Sequence, residues 1–152
     1  MRGLIIVLFM IVSSFAQDNY SKKDIEKMIA KMVVLGFTGT SIDKNSQIYK
    51  DIESGLGGVI LFDKDPNDET KAKNIENKAQ LKKLNQQLQS IHKSKLLISI
   101  DQEGGIVQRL KSEAGFVNTL KASEISQNGE VFAKNSYEAM AKDLSSVGIN
   151  LD

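Results

Sequence analysis

Leu96-Leu97-Ile98-Ser99-Ile100-Asp101-Gln102-Glu103-Gly104-Gly105 changes character in one step, from an apolar run to polar residues and glycine. The run is too short for a buried helix and reads as a strand ending at Asp101. Two similar runs precede it: Met32-Val33-Val34-Leu35-Gly36-Phe37, closed by Thr38-Gly39-Thr40, and Gly57-Gly58-Val59-Ile60-Leu61-Phe62. A fourth opens at Gly148-Ile149-Asn150-Leu151-Asp152. Helical patterns lie between them. Ser21 and Asp24 form an N-cap signature before Ile25, Met28, Ile29 and Met32, which predicts a helix over about 22–31. A lysine-, asparagine- and glutamine-rich segment from about Glu69 to His92 carries Leu81, Leu84, Leu88 and Ile91 at helical spacing. Ala133, Tyr137, Met140, Leu144 and Val147 mark a helix from about Glu130 to Ser146, and the region between Gly104 and Asn128 reads as looser. Strands alternating with helices imply parallel β-α units, and uninterrupted apolar strands imply a sheet covered on both faces. The first run, like the others, is expected to be buried. Periodicity alone leaves a small open sheet and an interrupted barrel equally open.

The 152 residues contain 20 Lys and Arg against 19 Asp and Glu. That balance gives no electrostatic basis for a nucleic-acid partner or an anionic membrane surface. Met1 and Arg2, an apolar run from Leu4 to Val12 and Ser14-Phe15-Ala16 match a secretory signal cleaved after Ala16. A spanning helix needs about 20 apolar residues, and this stretch ends at Gln17, so no stable membrane span is expected. The expected location is exported, periplasmic or secreted. With no cysteine, the exported chain has neither disulfides nor thiol chemistry and must rest on core packing. His92 is the single histidine and sits at a helix exit, where a structural role is expected.

Asp101 falls at the carboxyl end of its strand, where ligand-facing groups collect in parallel sheets. Gln102, Glu103, Gly104 and Gly105 then place an amide, a carboxylate and two residues free of side chains directly after it. Adjacent glycines allow positive φ and close backbone approach. Arg109 is near enough in sequence to fold back on a carboxylate. Two readings stand side by side: Asp101 and Glu103 as the paired carboxylates of a glycosidase, or Asp101 as a loop cap with Glu103 paired to Arg109. Other motifs are weak. A calcium loop starting at Asp63 needs glycine where Asp68 stands and glutamate where Asn74 stands, so residues 63–68 read as a turn and helix cap. Gly55-Leu56-Gly57-Gly58 precedes a strand, the wrong context for a dinucleotide site.

The segment Ser99-Ile100-Asp101-Gln102-Glu103-Gly104-Gly105-Ile106-Val107-Gln108-Arg109-Leu110 resembles the signature of glycoside hydrolase family 3, in its β-N-acetylhexosaminidase branch. Residues 57–62 and 148–152 resemble that family's second strand and the start of its fourth. The resemblance implies an α/β fold, the N-terminal part of a TIM-type barrel reaching its fourth strand, over residues 17–152 after a signal peptide at 1–16. It implies that Asp101 hydrogen-bonds hydroxyls of an N-acetylglucosamine unit and that Arg109 lines the same pocket, with Gln102, Glu103, Gly104 and Gly105 as the supporting loop. The nucleophile and the acid/base are expected beyond Asp152, so this chain supplies no catalytic residue and is expected to be an inactive fragment of the enzyme. No metal or organic cofactor is implied. The implied reaction is retaining hydrolysis of terminal β-linked N-acetylhexosamine from glycosides such as peptidoglycan fragments. The other reading is a secreted, non-catalytic sugar-binding or interaction module. Asn118-Thr119-Leu120-Lys121-Ala122-Ser123 lacks the proline common in the family's loop after the signature.

Overall fold

The computed structural model describes residues 20–152. The expected signal segment lies outside them. No helix among the described residues is long and apolar enough to cross a membrane.

Helix α1 (Lys22–Ala30) starts at Ser21 through a complete capping box with Asp24. Strand β1 (Val34–Gly36) follows and pairs in parallel with β2 (Gly58–Leu61). Strand β2 pairs in parallel with β5 (Leu97–Ile100), and Leu151 adds a parallel bridge to Ser99. Sheet order therefore follows chain order, the arrangement of a progressively closing β/α barrel.

The centre of the sheet is dry. Val59 and Leu61 on β2 and Ile98 and Ile100 on β5 pack into one core with Leu81, Leu84 and Leu88. These leucines belong to α3 (Lys78–Ile91), whose apolar face therefore covers the sheet as its spacing predicts. The polar segment around Ile48 and Ile52 forms a short helix, α2 (Gln47–Glu53), and buries both isoleucines.

Strand β1 departs from expectation. It forms, but its residues are exposed: Val34 keeps 41% and Leu35 38% of their surface. The cause is position. Strand β1 has a neighbour on one side only, and α1 beside it contains no buried residue, so no second layer covers this edge among the described residues.

The helix expected from about Glu69 also starts later. Residues 64–72 instead form an antiparallel hairpin, β3 (Lys64–Asp65) against β4 (Asp68–Ala72). Local carboxylates set the turn: Asp65 accepts from the Asn67 N–H at 2.8 Å, and Asp68 accepts from the Thr70 hydroxyl at 2.6 Å. Helix α3 begins only after Asn77, whose side chain accepts from the Gln80 N–H at 3.0 Å.

The region after Gly104 is more ordered than its sequence suggests. Strand β6 (Gln102–Gly104) pairs antiparallel with β7 (Val107–Gln108), and a 3-10 turn at Ser112–Ala114 and α4 (Ala122–Gln127) follow. Helix α5 (Glu130–Ser146) lies where predicted and buries Leu144, with Val147 just beyond its end. Asn150 fastens the fourth strand by imitating a backbone unit. Its side chain accepts from the Ile98 N–H at 3.0 Å and donates to the Leu96 carbonyl at 2.9 Å.

Candidate functional site

Parallel pairing sends the carboxyl ends of β2, β5 and the fourth strand to one edge of the sheet. Asp63, Asp101 and Asp152 are the acidic residues that follow there. Asp101 stands where the sequence places it, with 45% of its side chain open to solvent. Its Oδ2 lies 3.5 Å from Nη2 of Arg109. Nη1 of the same guanidinium lies 3.8 Å from Oδ1 of Asp63, and Nζ of Lys111 lies 2.6 Å from Oδ2 of Asp63. Two carboxylates thus face two cations. The guanidinium centre is also 5.6 Å from the centroid of the Phe62 ring, which helps hold its plane.

Arg109 reaches this position because its hairpin is tied from inside. Gln102 is 2% exposed, and its Oε1 accepts from the N–H groups of both Arg109 and Leu110 at 2.9 Å. The Gln102 N–H in turn donates to Oδ1 of Asp152 at 2.8 Å, joining the hairpin to the fourth strand. Gln108 does similar work on the other side: its amide donates to the Leu110 carbonyl at 3.0 Å, and its Oε1 accepts from the Thr119 N–H at 3.2 Å.

Both glycines of the loop are required by geometry. Gly104 has φ +88°, and a Cβ there would run into the Leu120 carbonyl oxygen. Gly105 has φ +62°, and its Cβ would stand 2.7 Å from Cβ of Lys121. The Gly105 N–H donates to the Thr119 carbonyl at 2.8 Å, so the hairpin is pressed against residues 119–121 without a proline in that segment.

Glu103 is exposed on the outer side of β6, between buried Gln102 and Gly104. Among the described residues Arg109 pairs with Asp63 and Asp101, and the alternative pairing with Glu103 is not formed. The reason is the strand pleat, which turns Glu103 to the face opposite its buried neighbours. Asp101 and Glu103 do border one open cleft of about 420 Å³, together with Tyr137, Met140 and Asp152; Arg109, expected in the same pocket, touches Asp101 but borders the depression beside Asp63 and Lys111 instead.

His92 caps the end of α3, with its Nδ1 2.9 Å from the Ser94 carbonyl oxygen, at the end of the sheet away from Asp101. Asp65 and Asp68, which at first sight suggest calcium, serve the hairpin turn.

Sequence reasoning missed three contributors. Asp63 follows β2 much as Asp101 follows β5, and that shared position at a strand end was a usable signal. Lys111 carried none. Neither did Asn74, which is fully buried and welds two strand ends: its Oδ1 accepts from the Phe62 N–H at 3.0 Å, and its Nδ2 donates to the carbonyls of Phe37 at 3.1 Å and Gly39 at 3.2 Å.

Such a site suits a hydroxyl-rich ligand. An exposed carboxylate accepts from hydroxyls, and the fixed guanidinium beside it holds that carboxylate in place.

The model of the glycosyl hydrolase family 3 N terminal domain matches residues 24–152. A beta-hexosaminidase of Photobacterium profundum is 34% identical over 96 residues, covering 63% of this chain and 26% of that protein. A beta-hexosaminidase of Pseudomonas aeruginosa is 36% identical over 98 residues, with the same coverage of each. The chain therefore spans about a quarter of the length of these curated relatives. Among solved structures, native NagZ from Neisseria gonorrhoeae superposes with a TM-score of 0.63 at 26% identity, over 79% of this chain and 34% of that one. A fungal multi-domain GH3 beta-N-acetylglucosaminidase gives a TM-score of 0.68 at 30% identity, over 82% of this chain and 14% of that one. The N-terminal domain of the NagZ neighbours is of the TIM-barrel type, as the sheet order here implies.

Proposed function

The chain belongs to glycosyl hydrolase family 3, and we propose that it supplies the sugar-holding part of a β-N-acetylhexosaminidase. The reaction is retaining hydrolysis of terminal β-linked N-acetylhexosamine from glycosides such as peptidoglycan fragments. The observation that carries this reading is the Asp101–Arg109 pair at the end of β5, fixed by Gln102 and left open on one side. Asp101 accepts hydrogen bonds from hydroxyls of the terminal sugar. Arg109 holds that carboxylate in place and donates to sugar oxygens, while Gln102, Glu103, Gly104 and Gly105 set the loop. No residue of this chain is assigned as nucleophile or acid/base, and the reaction as read calls on no metal or organic cofactor. The relatives named beta-hexosaminidase and the NagZ structure solved with N-trifluoroacetyl-D-glucosamine support an N-acetylglucosamine unit as the ligand. Export of the protein to the periplasm or beyond follows from the reading of residues 1–16.

The test is release of p-nitrophenol from p-nitrophenyl N-acetyl-β-D-glucosaminide by the gene's complete product. Hydrolysis is expected, and Asp101→Ala should lower kcat/KM by roughly 10–100-fold, the loss of hydrogen bonds to a charged acceptor. Sugar binding with no hydrolysis would overturn the enzymatic reading in favour of a non-catalytic sugar-binding module.

A further inference from the structure

At the end of the sheet away from Asp101, where β2 and β5 begin, the C-terminal ends of α1, α2 and α3 surround a cleft of about 370 Å³. Lys27 and Lys31 line it from α1, Glu53 from α2, and His92 and Lys93 from the exit of α3. Its volume lies within the range of small-ligand sites, roughly 300–1,000 Å³. Three lysines thus face one glutamate, a local excess of positive charge that the near-equal totals of the whole chain conceal.

Helix α1 gives this cleft two of its cations and gives the core nothing, since none of its residues is buried. What fixes it is its C-terminal end. The Gly57 N–H donates to the Ala30 carbonyl at 2.9 Å, and a Cβ at residue 57 would run into the Lys31 carbonyl oxygen. Lys27 and Lys31 stand four apart and so neighbour each other on the helix surface, a spacing that costs stability when both residues are cations. The ordinary explanation for cations here is that they answer the free carbonyls of helix C-termini. At α1 and α2 those carbonyls already have backbone partners: besides Ala30, Ile52 accepts from the Gly55 N–H at 3.0 Å and Asp51 from the Leu56 N–H at 3.1 Å. Among the described residues, the ammonium groups of Lys27, Lys31 and Lys93 make no hydrogen bond or ion pair.

We propose that this cleft binds the phosphate group of a hydroxyl-bearing phosphoester. A phosphomonoester carries roughly 1.5 to 2 negative charges near neutral pH, with three strong acceptor oxygens. Lysine serves such a group as a mobile point charge, without the fixed fork that suits arginine to planar partners. The Ser54 hydroxyl on the same lining adds a donor, and Glu53 accepts from a hydroxyl next to the phosphate. The phosphate belongs either to a soluble ester or to an anionic lipid headgroup such as phosphatidylglycerol. Because the cleft opens at the opposite end of the sheet, its ligand leaves the Asp101 side free, and the proposal does not depend on the sugar reading.

Calorimetric titration of the full chain with sn-glycerol 3-phosphate, at an ionic strength held constant with sodium chloride, tests this. Saturable binding is expected, weakened at least about tenfold in a Lys27→Gln, Lys93→Gln double variant. Both lysines are exposed, so the fold should survive; Lys82→Gln, on the exposed face of α3, is the control and should bind like the unaltered protein. Co-sedimentation with phosphatidylglycerol vesicles, compared with phosphatidylcholine vesicles, distinguishes the source. Association with phosphatidylglycerol that the double variant loses places the phosphate on a lipid headgroup, and titration without vesicle association places it on a soluble ester. Absence of both kinds of binding, or binding that the double variant retains in full, overturns the site.

Discussion

Nη2 of Arg109 lies 3.5 Å from Oδ2 of Asp101, while the other terminal nitrogen of the same guanidinium faces Asp63 at 3.8 Å. One planar side chain thereby links the carboxyl ends of two neighbouring parallel strands. Lysine cannot do this, because its single ammonium has no second arm. Arg109→Lys is expected to lower kcat/KM on p-nitrophenyl N-acetyl-β-D-glucosaminide by about tenfold. An unchanged value would mean that bridging the two carboxylates has no part in placing the sugar.

Gln102 is the internal tie of the hairpin that carries Arg109. Gln102→Ala strands two backbone N–H groups that now donate to its Oε1. Each buried, unsatisfied group costs about 1–3 kcal/mol, so a loss of roughly 2–5 kcal/mol is expected from the denaturant midpoint. A loss below about 0.5 kcal/mol, the scale of an ordinary surface substitution, would show that water replaces the amide and that the tie is dispensable.

Asn74 offers a stability test away from the sugar. Its side chain satisfies one N–H just after β2 and two carbonyls just after β1. Asn74→Ala should destabilise by roughly 2–4 kcal/mol. Equal melting temperatures for the two proteins would contradict the account of how β1 and β2 are joined at their ends.

Much of the fold was readable in advance because strand and helix periods are set by burial. Leu81, Leu84 and Leu88 identified α3, and the apolar runs identified β2 and β5. Where burial was incomplete or local bonds decided, pattern gave less. Strand β1 looks like a core strand in sequence, yet its exposure depends on what stands beside it. The β3–β4 hairpin is made by Asx turns at Asp65 and Asp68, which a lysine-rich segment conceals. At the site, Asp101 and Arg109 are legible together because only seven residues, two of them glycines, lie between them. Asp63 and Asn74 come from the ends of other elements, and Lys111, two residues after Arg109, gains its role only once the sheet has brought Asp63 to it.

Helix α1 gives a pH prediction. Hydrogen bonds from the Ser21 hydroxyl and N–H, at 2.6 and 3.1 Å, hold the Asp24 carboxyl below its ordinary value of 3.8. The folded helix therefore binds the proton less readily than the unfolded chain. The capping contribution is fully present above pH 3.8 and is lost as pH falls through the lowered value. Because α1 has no buried residue, its amide hydrogen exchange should quicken in that interval before the core opens. Asp24→Asn should remove that pH dependence; exchange in α1 that keeps step with the core through the interval would contradict it.

The central claim is that Asp101 holds the sugar. Titration of N-acetylglucosamine into the protein and into its Asp101→Ala variant measures this directly. Asp101 is half exposed and lies outside the core, so the variant should keep its fold and its melting temperature. The predicted result is saturable binding that weakens by at least about tenfold in the variant. Equal affinity in the two proteins would contradict the account.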